Sequence, residues 1–140
     1  MKRQPGEALA FHERRTLVVF VFRTVDSLHF KAVVVFCALS FLFYAIACLT
    51  TSHMKREFKR YGLERFRQLT GILQLLGVAG LLTGITFPAA GIGAAGGLTA
   101  QMLLALVARR KIKDSVIECL PAFFFCALNA WLLAGFLQAV

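Results

Sequence analysis

Residues 66–84 read FRQLTGILQLLGVAGLLTG, and the fold turns on how this stretch is understood. After Arg67 the chain carries no charge as far as Arg109. Leu69 to Phe87 rises about 28 Å as a helix at 1.5 Å per residue, close to a hydrocarbon core of about 30 Å. A bilayer offers loose backbone no hydrogen-bond partners, and the run lacks the apolar–polar alternation of a barrel strand. It therefore reads as a membrane-crossing helix. Gln74 is the exception within it: an amide in an otherwise oily segment needs a packing or a chemical reason.

Three more runs of the same kind flank it. Lys31 to Thr50 is the first crossing, with its only charge at its first residue. Leu69 to Phe87 is the second, Ala90 to Ala108 the third, and Ile117 to Leu137 the fourth, with Glu118 at its rim. Pro88 and Gly91 mark a very short uncharged turn between the second and third. The expected fold is all-α: a four-helix transmembrane bundle over residues 30–140, with an interfacial amphipathic loop between helices one and two. Residues 1–29 form a basic tail. Within it, Thr16 to Phe22 is too short to span, and it is expected either to lie in the interface or to be poorly ordered. No small-residue cleavage site follows these residues, so a removable leader is not expected.

The composition agrees. Of 140 residues, 59% are hydrophobic and fourteen are Phe, against seven acidic residues, and a soluble domain of this size could not hide that much apolar surface. The net charge of +9 does not point to nucleic acid, because the basic residues lie between the apolar runs, where anionic headgroups attract them. In the loop Thr51 to Gln68, Phe58, Tyr61 and Phe66 alternate with Lys55, Arg56, Lys59, Arg60, Arg65 and Arg67, and Gly62 divides it into two short interfacial turns. Such a loop either anchors helix ends as a solvated basic segment, covers a pocket, or meets acidic lipid. Arg109, Arg110, Lys111 and Lys113 lie on the same side, so the positive-inside rule puts these loops in the cytoplasm and both termini outside.

Inside the membrane, Gly80/Gly84 and Gly93/Gly97 have small-xxx-small spacing, which lets backbones approach closely. Packing within one chain is the expected use, and a homodimer interface is the alternative. Counting helical rise from the basic side, Gln74 lies about 7 Å deep, Tyr44 about 9 Å, Gln101 about 10 Å and Cys126 about 13 Å, with Asn129 and Ser40 a turn deeper. These groups either bind one another as interhelical ties or line a small polar pocket of Tyr44, Gln74, Gln101 and Asn129, with Arg109 and Arg110 at its mouth. Asp114 and Glu118 are expected at the rim as solvated partners of Lys111 and Lys113. No spacing suited to a metal appears, and no CxxC pair. Cys48 and Cys119 lie near the same membrane surface and would meet if helices one and four were neighbours.

Several segments together resemble the DoxX-like family of small bacterial membrane proteins. They are FLFYAIACLT, EFKRYGLERFRQLTGILQLLGVAGLLTG, QMLLALVARRKIKDS and LPAFFFCALNAWLL, across roughly residues 36 to 137. The entry to helix two, YGL..FR.LTG, and the set Leu120, Pro121 and Asn129 are the most specific parts. The resemblance implies a four-helix fold in the bacterial inner membrane. It also implies a link in some members to thiosulfate:quinone oxidation or thiol stress, with an acidic residue in many relatives where this chain has Gln74. A similar broader fold serves quinone-linked thiol oxidoreductases, whose CxxC is missing here. The functional expectation is an accessory protein that binds a small quinone-like amphiphile or supports a membrane redox or transport partner. The rivals are a thiol/quinone-linked redox subunit using Cys48 and Cys119, and an oligomeric small-solute channel or exporter.

Overall fold

In a computed structural model, the backbone is described from Pro5 to Val140 and the side chains from Ser27 onward. The sequence-based expectations for the side chains of Thr16 to Phe22 lie outside the described residues. Helix α1 runs Pro5–Thr50, α2 Ser52–Arg60, α3 Arg67–Gly84, α4 Pro88–Lys111 and α5 Val116–Gln138, and the three-residue 3-10 turn Glu64–Phe66 precedes α3. Among the described residues, four segments are long and apolar enough to cross a membrane: Ser27–Thr50, Glu64–Gly84, Pro88–Lys111 and Val116–Gln138. The fold is all-α, as the apolar runs require. The chain divides into two compact units, Met1–Ala32 and Val33–Val140, and the helix packing and polar residues of the bundle belong to the second.

Local chemistry sets the ends of these helices. Thr51 caps α2 by accepting from the Met54 N–H at 3.3 Å, and Gly62 at φ +68 stops the chain from continuing as helix. The division of this loop at Gly62 follows the sequence expectation. At the other basic loop, Lys113 takes φ +61 after α4, and Ser115 starts α5 with Glu118 as a reciprocal capping box. Glu118 is thus a helix cap and not a partner of Lys111. The tight connection between α3 and α4 lies at Ile85–Phe87, earlier than the sequence placed it. Pro88 is the first residue of α4, where its missing N–H costs nothing, and Gly91 lies inside the helix.

Gly91 is there because α3 and α4 touch through it. A Cβ on Gly84 would lie 2.5 Å from the Gly91 Cα, one on Gly80 2.7 Å from the Ala94 Cβ, and one on Gly77 2.7 Å from a Leu98 methyl. This antiparallel seam uses the expected small residues of α3, but on α4 it uses Gly91, Ala94 and Leu98. The expected α4 patch is corrected: a Cβ on Gly93 or Gly97 would meet nothing within 4 Å. Helix α1 closes the bundle on both sides. Its Leu49 and Ala45 lie against Gly71 of α3, and its Phe41 meets Phe125 of α5 edge to face at 5.4 Å between centroids.

Candidate functional site

Two groups of polar residues stand out in this bundle, one within the membrane and one at its basic surface. In the interior, Gln74 sits one turn from Gly71, which touches α1, and one turn from Gly77, which touches α4. The side chain is only 3% exposed, and its Oε1 has no hydrogen-bond partner among the described residues. Asn129 on α5 is fully buried. Its Nδ2 donates to the Phe125 carbonyl of its own helix at 2.7 Å, and its Oδ1 is likewise unpartnered among the described residues. Leaving such an acceptor unpaired costs about 1–3 kcal/mol, so each needs an explanation.

The other expected pocket residues have partners of their own. Gln101 donates from Nε2 to the Thr70 carbonyl at 3.1 Å, an interhelical tie that binds α4 to α3. Cys126 lies 3.9 Å from the Thr99 carbonyl, a weak thiol contact between α5 and α4. Ser40 turns back on its own helix and donates to the Phe36 carbonyl at 2.9 Å. Tyr44 is 36% exposed, with its ring against Phe43 and Phe125 at the outer side of α1. The four residues therefore differ in what they engage. Two are buried with orphan oxygens, one ties two helices, and one faces outward.

At the basic surface the rim is built differently from the sequence expectation. The Asp114 side chain is 3% exposed and accepts from Arg60 of α2 at 3.0 Å and from Arg109 of α4 at 3.2 Å. The expected solvated pair with Lys111 or Lys113 is not what forms, because the turn at Lys113 directs Asp114 under α2. Both guanidinium groups lie over the Tyr61 ring, Arg60 at 5.5 Å and Arg109 at 5.6 Å, and the Tyr61 hydroxyl donates to Glu57 at 3.0 Å. Burial works against ionisation of Glu57, yet hydrogen bonds from Arg60 and Tyr61 outweigh it and hold its carboxyl below the ordinary range. Burial likewise raises the Tyr61 hydroxyl. This staple fastens α2 to the α4–α5 connection. Arg109 is committed to it, while Arg110 remains exposed. Sequence reasoning placed Asp114 at the rim but missed its pairing with Arg60, which lies 54 positions away.

The cysteines also take definite places. Cys37, Cys48 and Cys119 are buried, Cys126 is half-buried, and all four are free thiols. Helices α1 and α5 are neighbours, as the sequence left open. Phe125 packs on Phe41 in an antiparallel arrangement, so six residues back along α5 and seven on along α1 bring Cys119 and Cys48 to about the same level. No group of three or more metal-binding side chains occurs among the described residues.

With the helices and their polar residues in place, comparison with known families decides the classification. The model of the DoxX-like family matches residues 32–132. The chain belongs to the DoxX-like family. It is a multi-pass protein of the bacterial inner membrane, with four membrane-spanning helices. The matched range holds both orphan amides, Cys48 and Cys119, and the Asp114 staple of this DoxX-like protein. A comparison with curated proteins gave no match, and neither did one with solved structures.

Proposed function

We propose that this DoxX-like protein is a non-catalytic accessory protein that holds a small quinone-like amphiphile in its bundle. The observation that carries the reading is the pair of buried acceptors, Gln74 Oε1 and Asn129 Oδ1. Both lack a donor among the described residues, so they favour a ligand that brings hydroxyl hydrogens, such as the hydroquinone form over the quinone. Gln74 is neutral, which suits hydrogen bonding better than capture of a proton or cation. The test is native mass spectrometry with lipid-soluble extraction of the protein purified in mild detergent. A stoichiometric quinol-type molecule, lost in Gln74→Leu and in Asn129→Leu, is the expected outcome. An amphiphile retained equally by both folded variants, or none retained across several detergents, would reject the site.

A second reading rests on the shared level of Cys48 and Cys119 along the α1–α5 seam. In it, a quinone oxidises the two thiols to a disulfide. Two electrons and two protons leave the sulfurs and reduce the quinone to quinol. Mild oxidation of membranes in the presence of a quinone should then protect these two thiols from maleimide while Cys37 and Cys126 still react after unfolding. Equal labelling of all four would remove this reading.

A further inference from the structure

The ten cations near the basic surface are not used alike. Arg60 and Arg109 are neutralised by Glu57 and Asp114. Lys55, Arg56 and Lys59 on the outer face of α2 form no ion pair among the described residues. Together with Arg67 and Glu64 they line an open depression of about 390 Å³. Four cations against one carboxylate leave three uncompensated positive charges around it. Arg67 is itself fixed in place: its Nη1 donates to the Cys48 and Leu49 carbonyls at the end of α1, 3.2 Å from the latter. A guanidinium locked against a helix C-terminus is a preorganised wall, not a swinging surface charge.

We infer that this depression is a binding site for the phosphate headgroup of an anionic phospholipid. It lies outside the Gln74 and Asn129 level and does not depend on any ligand there. The charge pattern selects a phosphate-bearing anion, and the surroundings select a lipid as its carrier. Arg67 is the first residue of α3, so the depression opens where the membrane span begins. Within about a turn and a half of these two helix ends lie exposed apolar side chains: Ile46 on α1, 52% exposed, and Leu69 and Ile72 on α3, 48% and 50% exposed. These would carry acyl chain while the cations hold the headgroup. The staple through Asp114 keeps α2 down on the bundle, so its three free cations are held at the depression.

The experiment is titration of the delipidated full chain in detergent, read by native mass spectrometry and thermal unfolding. The added molecules are a phosphatidylglycerol, a phosphatidylcholine of the same acyl chains, and inorganic phosphate. One phosphatidylglycerol should bind per chain and raise the unfolding temperature, with phosphatidylcholine markedly weaker. Lys55→Gln/Arg56→Gln/Lys59→Gln should lower phosphatidylglycerol affinity roughly a hundredfold, at about a factor of five for each headgroup-facing cation. Arg110→Gln/Lys111→Gln/Lys113→Gln removes the same charge elsewhere on the same side and should leave affinity within a few-fold. Equal losses in the two triple variants would replace the site with a general charge effect. Phosphatidylcholine binding as tightly as phosphatidylglycerol would overturn the inference, and phosphate alone protecting as well as the lipid would reassign the depression to a soluble anion.

Discussion

Replacing Gly84 with alanine tests the α3–α4 seam most directly. The new Cβ would lie 2.5 Å from the Gly91 Cα, 2.9 Å from its nitrogen and 3.0 Å from Cε1 of Phe136. Carbon atoms rest at about 3.5–4.0 Å, so the two backbones must part by about 1 Å at this crossing. Neither helix can give locally, because the contact is with main chain on a short hairpin of three linking residues, Ile85–Phe87. Overpacking of this kind costs about 1–3 kcal/mol. Alanine returns about 0.8–1 kcal/mol of helix propensity, which would blur a single measurement. Gly97→Ala on α4 bounds that gain, since its Cβ would meet nothing within 4 Å and only the propensity gain is left. Gly84 ends α3 and Gly97 is interior to α4, so the difference between the two variants is the packing cost of about 1–3 kcal/mol plus up to about 1 kcal/mol of propensity that only Gly97 regains. Reversible unfolding in mixed micelles measures it. Gly91→Ala adds a control: its Cβ would meet the Phe136 ring at 2.6 Å, so Phe136→Leu should relieve it but leave Gly84→Ala uncorrected. If Gly84→Ala and Gly97→Ala differ by less than about 1 kcal/mol, the close seam is wrong.

The two membrane glutamines should respond with opposite sign to the same change in the same unfolding assay. Gln101→Leu loses the tie to Thr70 and should destabilise by about 0.6 kcal/mol, whereas Gln74→Leu removes an orphan acceptor and should be neutral or stabilising. Asp114→Asn should cost about 1–2 kcal/mol, discounted for the exposure of Arg60 and Arg109, and should speed tryptic cleavage within α2, as timed by mass spectrometry. Glu57 has a folded carboxyl pKa below its unfolded value. Its stabilisation is therefore complete above the ordinary glutamate pKa of about 4.3 and fades as pH falls through the lowered folded value. Protection factors in α2, corrected for the intrinsic pH dependence of amide exchange, should be unchanged from about pH 8 to 5 and fall below about pH 4, a transition absent in Glu57→Gln.

How much of this was legible depends on the range of the interaction. The four crossings were legible because the bilayer makes one demand of every residue in a span, and Leu69 to Phe87 answers it without any partner being known. Gly62 was legible for a similar reason, since a break in a charged amphipathic stretch is local backbone chemistry. Which small residues of α4 meet α3 was not, because Gly91, Gly93 and Gly97 differ only in helical phase. That phase is set by where the hairpin turns, and the sequence suggested Pro88 and Gly91 for the turn when the chain uses Ile85–Phe87. The depth count brought Tyr44, Gln74, Gln101 and Asn129 to similar levels, but depth says nothing about direction. Tyr44 faces outward because Phe41 and Ala45, not Tyr44, occupy the inner face of α1. The Asp114 staple depends on a positive-φ lysine and on partners in two other elements, none of which leaves a local signature.

The composition of the seam also argues for the direction from which Gln74 is approached. Going from the tight turn toward the basic loops, α3 presents Gly84, Gly80 and Gly77 to Gly91, Ala94 and Leu98 of α4. Contact begins as backbone on backbone, passes through a methyl group, and ends on a leucine side chain. The next tie in the series, Gln101 to the Thr70 carbonyl, spans the interface with the full length of a glutamine. Spacer size thus rises steadily toward the basic face, and helix separation is set by spacer size at close-packed crossings. The backbone contact at Gly84 and Gly91 closes the seam at the turn side, so any ligand beside Gln74 would have to be admitted from the basic side. A ligand of the proposed kind would enter past α2, and clamping α2 down should slow its exchange without changing its affinity. Asp114→Asn should accordingly speed release of a bound amphiphile while Gln74→Leu weakens its binding at equilibrium. Release rates that ignore the staple would place the entrance elsewhere.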